Sequence, residues 1–348
     1  MDKLNFAIIG CGRIAPRHAE AITRNEKANL VAVCDIIEER AQEFVSRYGA
    51  SRYYTDYRQL LERPDIDVVD VCTPSGLHAQ MGIDAARARK HVVMEKPMAM
   101  SLEDADTLIR SGKENGVLLT VCHQNRFNPA VQKLRQALEE GRFGKLTHGS
   151  AVIRWFRPQD YYEQAKWRGT WAMDGGCLMN QSIHNIDLLL WMMGPVESIF
   201  GYTARQLRNI EAEDVGVAVL KFRSGALGVI ESSVTVYPRN LEETLNIFGE
   251  KGTVVLGGEA VNRIEEWRFA DRPDETAQSL AQQNQEVPTI YGFGHDTLIE
   301  DFIQSIRNKK RPYIDGEEGR RALEAILAIY SSTKNNRQVS APFNKNIG

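Results

Sequence analysis

Through the first third of the chain, short continuous apolar runs alternate with stretches whose apolar residues recur at helical spacing. The runs cover residues 6–9, 30–34, 68–72, 91–94 and 117–121, with helices predicted over 13–24 and 37–48. Ser101, followed by Leu102-Glu103-Asp104, reads as an N-cap with acidic residues in the first turn, favourable against the helix dipole. Strands and helices in alternation predict a parallel sheet joined by right-handed crossovers.

The pattern changes after His123. A helix over 129–139 leads into long strand-like stretches at 146–156, 196–203, 215–222, 226–237, 241–248 and 253–256. Ser224-Gly225 and Lys251-Gly252 supply turn signals between them. These predict a large open, predominantly antiparallel sheet crossed by a helix over 180–193, which Gly194-Pro195 stops sharply. Helices over 296–308 and 317–333 close the chain. A length of 348 residues exceeds what one core usually organises, so two domains are expected: an α/β domain over 1–122 and an α+β domain over 123–348.

Composition narrows the function class. With 43% hydrophobic and 26% charged residues, the chain is neither disordered nor a coiled coil. A formal net charge of −3 argues against nucleic acid as the main partner. No apolar run approaches the length of a membrane span, and Met1 to Asn5 lead straight into a strand without an apolar signal region. Of five cysteines, Cys34, Cys72 and Cys122 lie in or at the ends of apolar runs and read as small buried hydrophobes in a reducing compartment. A cytoplasmic chain is expected.

Gly10-Cys11-Gly12-Arg13-Ile14-Ala15 follows a strand and opens a helix. Gly10 permits the tight turn, Gly12 lets main chain approach a pyrophosphate, and Ala15 still allows close helix–strand packing. Asp35 ends the next strand about 20 residues on, where a ribose-binding acid belongs. Its charge repels a 2′-phosphate and neighbouring Ile36 offers no cation for one, so NAD is favoured over NADP. Thr73, Ser75 and His78 lie just past another strand end, placed either to contact the cofactor or to cap and brace the following helix.

Oxidising a secondary alcohol requires loss of hydride from carbon and of a proton from oxygen, so a nicotinamide enzyme must supply a base. Lys96 is the candidate. It ends a parallel strand, on the rim where open α/β sheets bind ligands, and an ammonium beside a cationic ring loses its proton more readily. Pro97 fixes the backbone there, and Glu95 is placed to orient the amine. His184, whose ordinary pKa is near neutrality, is the second candidate. Asn180 stands four residues earlier, on one face of the predicted helix, and Asp174-Gly175-Gly176-Cys177 reads as a substrate entrance.

Gly10-Cys11-Gly12, Thr73-Pro74, Glu95-Lys96-Pro97, Asn125-Arg126 and Gly175-Gly176 with His184 and Asp187 together resemble the Gfo/Idh/MocA oxidoreductases over essentially the whole chain. The resemblance implies a Rossmann domain followed by an open sheet that usually forms the oligomer interface, with Lys96 and His184 as catalytic residues. Polyol dehydrogenases of the family usually carry Asp where this chain has Asn180, which can orient a hydroxyl but cannot act as a base. A narrower resemblance, to bacterial UDP-N-acetylglucosaminuronate dehydrogenases, is carried by runs containing Arg157 to Tyr162, Trp167 to Trp171, Met179 to Gln181, Arg208 to Glu211, Tyr237 to Glu242 and Tyr291 to His295. It implies NAD-dependent oxidation of a sugar C3 hydroxyl, on a route to surface polysaccharides.

Guanidinium groups recognise diphosphate and carboxylate bidentately, which makes Arg157, Arg168 and Arg239 candidate anchors, with Tyr161 or Trp167 as a flat contact for a ring. The candidate cofactor contacts are Gly10, Gly12, Arg13, Ile14, Asp35, Thr73, Ser75, His78, Glu95, Lys96, Gln124, Trp167 and Arg168. The candidate substrate contacts are Lys96, Asn125, Arg157, Tyr161, Arg168, Asn180, His184 and Arg239, and no metal ligands are read. Expected partners are a UDP-N-acetylglucosaminuronate-type substrate, a second substrate or cofactor exchange to reoxidise NADH, a PLP-dependent aminotransferase that takes the keto sugar, and three further copies of the chain in a homotetramer; neither nucleic acid nor membrane is expected. A rival inositol or simple-sugar dehydrogenase predicts that the arginines are scattered. A non-catalytic NAD-binding sensor predicts a missing base or histidine.

Overall fold

The computed structural model describes residues 3–280, 284 and 294–343. It divides into two compact units, Met1–Gln124 with His295–Arg320, and Asn125–Gly294 with Arg321–Gly348. The single boundary expected after residue 122 therefore does not describe the chain, because a later segment returns to unit 1. The cause is an open sheet edge, whose N–H groups need partners. The Val121 N–H and the Thr120 hydroxyl both donate to the Ile314 carbonyl, at 3.1 and 2.8 Å, and Phe302 packs edge-on against His91.

Unit 1 contains, among the described residues, six strands: β1 (Leu4–Ile9), β2 (Ala28–Cys34), β3 (Arg52–Tyr54), β4 (Val68–Val71), β5 (His91–Met94) and β6 (Leu119–Val121). They are all parallel, in the order β3-β2-β1-β4-β5-β6. The strand order reverses between β1 and β4, the place where such sheets open a ligand crevice. Ser101 caps the helix Leu102–Asn115 by accepting from the Asp104 N–H at 3.1 Å, as its sequence position predicts.

Unit 2 is built on a mixed, mostly antiparallel sheet. Its strands are β7 (Leu146–Arg154), β8 (Val196–Ala204), β9 (Val215–Phe222), β10 (Leu227–Ser233), β11 (Glu242–Gly249), β12 (Gly252–Gly257), β13 (Arg263–Phe269) and β14 (Val339–Ser340). The order is β13-β12-β11-β7-β10-β9-β8-β14, with β7 and β10 parallel. Strand β13 escapes a reading by alternation for a physical reason. Leu256 pairs with Ile264 but Val255 pairs with Glu266, so Glu265 is an extra residue and buried Ile264 and Trp267 are three positions apart.

The helix expected over 180–193 is two helices, Cys177–Asn180 and Ile183–Met193. The Gln181 N–H reaches the Cys177 carbonyl four residues back, and the Ser182 N–H reaches the same carbonyl five back, at 2.9 Å. That extra residue breaks the helical phase between Asn180 and His184. The longer helix is anchored by Asp187, which takes a bidentate pair from Arg126 at 2.7 and 2.6 Å with both residues 1% exposed. Arg126 also lies 4.9 Å over the Trp191 ring. No described helix is long and apolar enough to cross a membrane.

Asp187→Ala strands the Arg126 charge in the interior, and its expected cost is about 3–5 kcal/mol. Urea or thermal unfolding checks this, and an unchanged midpoint would contradict an anchoring role.

Candidate active site

The glycine turn of unit 1 packs against the end of β4. Gly10 has φ +95°, and a Cβ there would fall 2.7 Å from the Cys72 carbonyl oxygen, so only glycine fits. A Cβ at Gly12 would meet nothing within 4 Å, leaving room for a group to approach the main chain. Arg13 is exposed, Ile14 is half-buried at the N-cap, and the helix runs over Ala15–Arg24. Asp35 is buried at the end of β2. Its carboxylate accepts from the Cys11 N–H at 2.8 Å and the Ile37 N–H at 2.9 Å, so it shapes the turn as well as carrying charge there.

Beyond β4, neither Thr73 nor Ser75 makes a side-chain cap on the following helices. The Thr73 hydroxyl is buried without a hydrogen-bond partner among the described residues, as a ligand-facing donor would be. His78 acts as a brace: its ring nitrogens meet the Pro97 carbonyl at 2.7 Å and the Thr73 carbonyl at 2.8 Å, tying together the loops after β4 and β5. It is fully enclosed, and burial pushes its imidazole pKa down. These residues fit a dinucleotide.

Glu95 and Lys96 stand on a buried charge network. His18 Nδ1 meets Asp70 Oδ2 at 2.8 Å and Nε2 meets Glu95 Oε1 at 2.9 Å. Burial is the largest influence and opposes charge on His18, yet Asp70 together with neighbouring groups outweighs it and holds the imidazole well above its ordinary pKa. Burial likewise opposes charge on Glu95, but the hydrogen bond to His18 and the nearby His295 and Lys96 hold its carboxyl well below the usual range. The second Glu95 oxygen accepts from the Lys96 N–H at 3.0 Å. Glu95 thus also fixes the Lys96 main chain.

In unit 2, Gly175 (φ +73°) and Gly176 are buried and packed, which corrects their reading as an open entrance. A Cβ at Gly176 would fall inside the Glu213 carboxylate. The Asn180 amide donates to Asp174, whose other oxygen accepts from the Gly169 N–H at 2.7 Å, while the Asn180 carbonyl oxygen accepts from Gln181 at 3.2 Å. A carboxylate therefore does stand beside Asn180, contributed by Asp174 from the preceding loop. His184 is half-buried at the start of the next helix.

The arginines are brought together. Arg157 lies 5.5 Å and Arg168 4.3 Å from the Tyr161 ring centre, and Arg168 also lies 4.8 Å over Trp167. Asn240 accepts from Arg157 at 3.0 Å, and Arg239 is exposed on the same turn. Arg208, named in the sequence only within the run Arg208 to Glu211 and not as an anchor, lies 5.4 Å over Phe156 beside them. Arg168 Nε, Arg208 Nε, the Tyr162 hydroxyl and one Glu243 oxygen are buried without hydrogen-bond partners among the described residues. Burial holds the Glu243 carboxyl well above its usual range, against the pull of Arg157. Gln124 and Asn125 are both buried, at the end of unit 1 and the start of unit 2 respectively. Tyr291 to Phe293 lie outside the described residues.

Residues 4–123 match the model of the oxidoreductase family with an NAD-binding Rossmann fold, and residues 131–255 match the GFO/IDH/MocA C-terminal domain. The chain belongs to the GFO/IDH/MocA oxidoreductase family. Myo-inositol 2-dehydrogenase of Thermotoga maritima is 30% identical, covering 97% of this chain and 98% of that one. The WlbA dehydrogenase of Bordetella pertussis, solved with NADH and UDP-GlcNAcA, is 42% identical with a TM-score of 0.91, covering 98% of each chain. WlbA of Chromobacterium violaceum, in a complex with the same two ligands, is 41% identical with a TM-score of 0.91, covering 98% of this chain and 97% of that one. As a member of this family, the chain is an NAD-dependent sugar dehydrogenase.

Two kinds of working residue left little trace in the sequence: Glu213 and the partners of Glu95. One available signal was Asp70, an acid inside the otherwise apolar run 68–72, which requires a buried partner. Asp35→Ala removes the Cys11 tether together with the charge. The expected outcome is about a tenfold loss of NAD affinity and a narrower preference over NADP, read by titrating both cofactors. Unchanged affinities would place the ribose contact elsewhere.

Proposed function

We propose that the chain oxidises the C3 hydroxyl of UDP-N-acetylglucosaminuronate to a 3-keto sugar nucleotide. The observation that carries this reading is the grouping of Arg157 and Arg168 on one tyrosine ring, with Arg208 close by and buried polar atoms lacking partners among the described residues. A diphosphate and a carboxylate are the groups that such guanidinium forks recognise. A free inositol or hexose has no use for them. The likeness to two WlbA structures holding UDP-GlcNAcA supports the same substrate.

Bound NAD supplies the hydride acceptor. Lys96 takes the hydroxyl proton on its amine, while His184 and Asn180 hold the hydroxyl in place. Arg157, Arg168 and Arg239 anchor the anionic groups, with Tyr161 or Trp167 against a ring. We place the reaction in the cytoplasm, ahead of a PLP-dependent aminotransferase on a route to surface polysaccharide. The assembly is read as a homotetramer, supported by exposed Tyr202, Val217, Val219, Leu227 and Val229 on one sheet face, a broad apolar surface that a second copy would cover.

Mixing the protein with NAD and UDP-N-acetylglucosaminuronate should produce NADH absorbance and a sugar nucleotide lighter by two hydrogens. Inositol oxidation with no such product would favour the polyol reading. Lys96→Ala should lower kcat by about 10²–10⁴-fold with NAD binding retained; near-normal kcat would remove Lys96 as the base.

A further inference from the structure

The Glu213 carboxyl has no part in the chemistry above, yet it fastens the turn that leads to Asn180. Glu213 is 3% exposed. Its main-chain carbonyl accepts from the Cys177 N–H at 3.0 Å, and its Oε1 accepts from the Leu178 N–H at 2.9 Å and the Tyr330 hydroxyl at 3.0 Å. Its Oε2 is buried without a hydrogen-bond partner among the described residues, against the position that Gly176 keeps free of a Cβ. The Cys177–Asn180 helix thus begins on Glu213.

We propose that Glu213 is a positioning residue whose gain or loss of a proton loosens or tightens the turn carrying Asn180, and with it the grip on the substrate hydroxyl. The inference rests on the reading of Asn180 as a hydroxyl-positioning group. As a carboxylate, Glu213 holds the Leu178 N–H and the Tyr330 O–H through charge-assisted hydrogen bonds, roughly twice as strong as neutral ones. A proton on Oε1 would collide with those two donors, so it must sit on Oε2, which has no acceptor among the described residues. The neutral carbonyl left at Oε1 holds the turn more weakly.

The titratable groups facing Glu213 are Asp214 on its own segment, Cys177 on the glycine turn and Tyr330 on the helix Gly316–Asn335. Burial is the largest influence and, helped by Asp214, pushes the carboxyl up to about 7, while its main-chain and Tyr330 hydrogen bonds oppose the rise. The change of state therefore falls at neutral pH.

The test is kcat and KM for UDP-N-acetylglucosaminuronate across neutral pH in wild type, Glu213→Gln and Tyr330→Phe. In wild type, KM should fall severalfold as pH rises through about 7, with kcat little changed. Glu213→Gln should flatten that step. Tyr330→Phe should move it to higher pH, because it removes a donor that favours the charged form. Identical KM profiles in all three proteins would overturn the proposal.

Melting temperature provides a readout independent of substrate. The folded carboxyl holds its proton more tightly than the unfolded one, so wild type should lose stability relative to Glu213→Gln as pH rises from the ordinary carboxylate range through about 7. A constant difference would also overturn the proposal. If wild type turns over no sugar nucleotide, the functional reading has failed, and this comparison still decides whether Glu213 titrates.

Discussion

One buried imidazole, His18, holds together the chemistry-bearing parts of unit 1. It lies on the helix that opens at the glycine turn, and its two nitrogens reach Asp70 on β4 and Glu95 beyond β5. Three segments far apart in sequence are thereby fixed by a single side chain. Breaking such a network leaves an uncompensated charge in the interior, a cost of several kcal/mol, so the arrangement is strongly specified once formed. Glu95 extends it to the Lys96 main chain, and the His78 ring sits between the Thr73 and Pro97 carbonyls.

Unit 2 uses carboxylates in the same way, with donors in place of a counter-ion. Asp174 joins the Gly169 main chain to the Asn180 amide, and Glu213 joins the start of the Cys177–Asn180 helix to Tyr330. The extra residue at Ser182 then resets the helical phase before His184. Irregularities of this kind are common where side chains must be aimed at a ligand.

The legible part of this protein was the part governed by local rules. Alternating apolar strands and helices, the Gly10 turn, Asp35 at a strand end and the Ser101 cap each follow from a few neighbouring residues. The arginine group was also anticipated, through Arg157 and Arg168. What stayed hidden depended on partners distant in sequence or on one-residue insertions. The bulge at Glu265 masked β13, and the π-type step at Ser182 split the single helix expected over 180–193 into two. The return of His295–Arg320 to unit 1 followed from the need of β6 for an edge partner, a requirement written in tertiary structure.

The measurement that reaches the central claim most directly is hydride tracing. UDP-N-acetylglucosaminuronate deuterated only at C3 would be turned over with NAD, and the NADH analysed by mass spectrometry. The account predicts deuterium in the NADH and an unlabelled keto sugar. Deuterium retained in the sugar product, with NADH unlabelled, would contradict oxidation at C3.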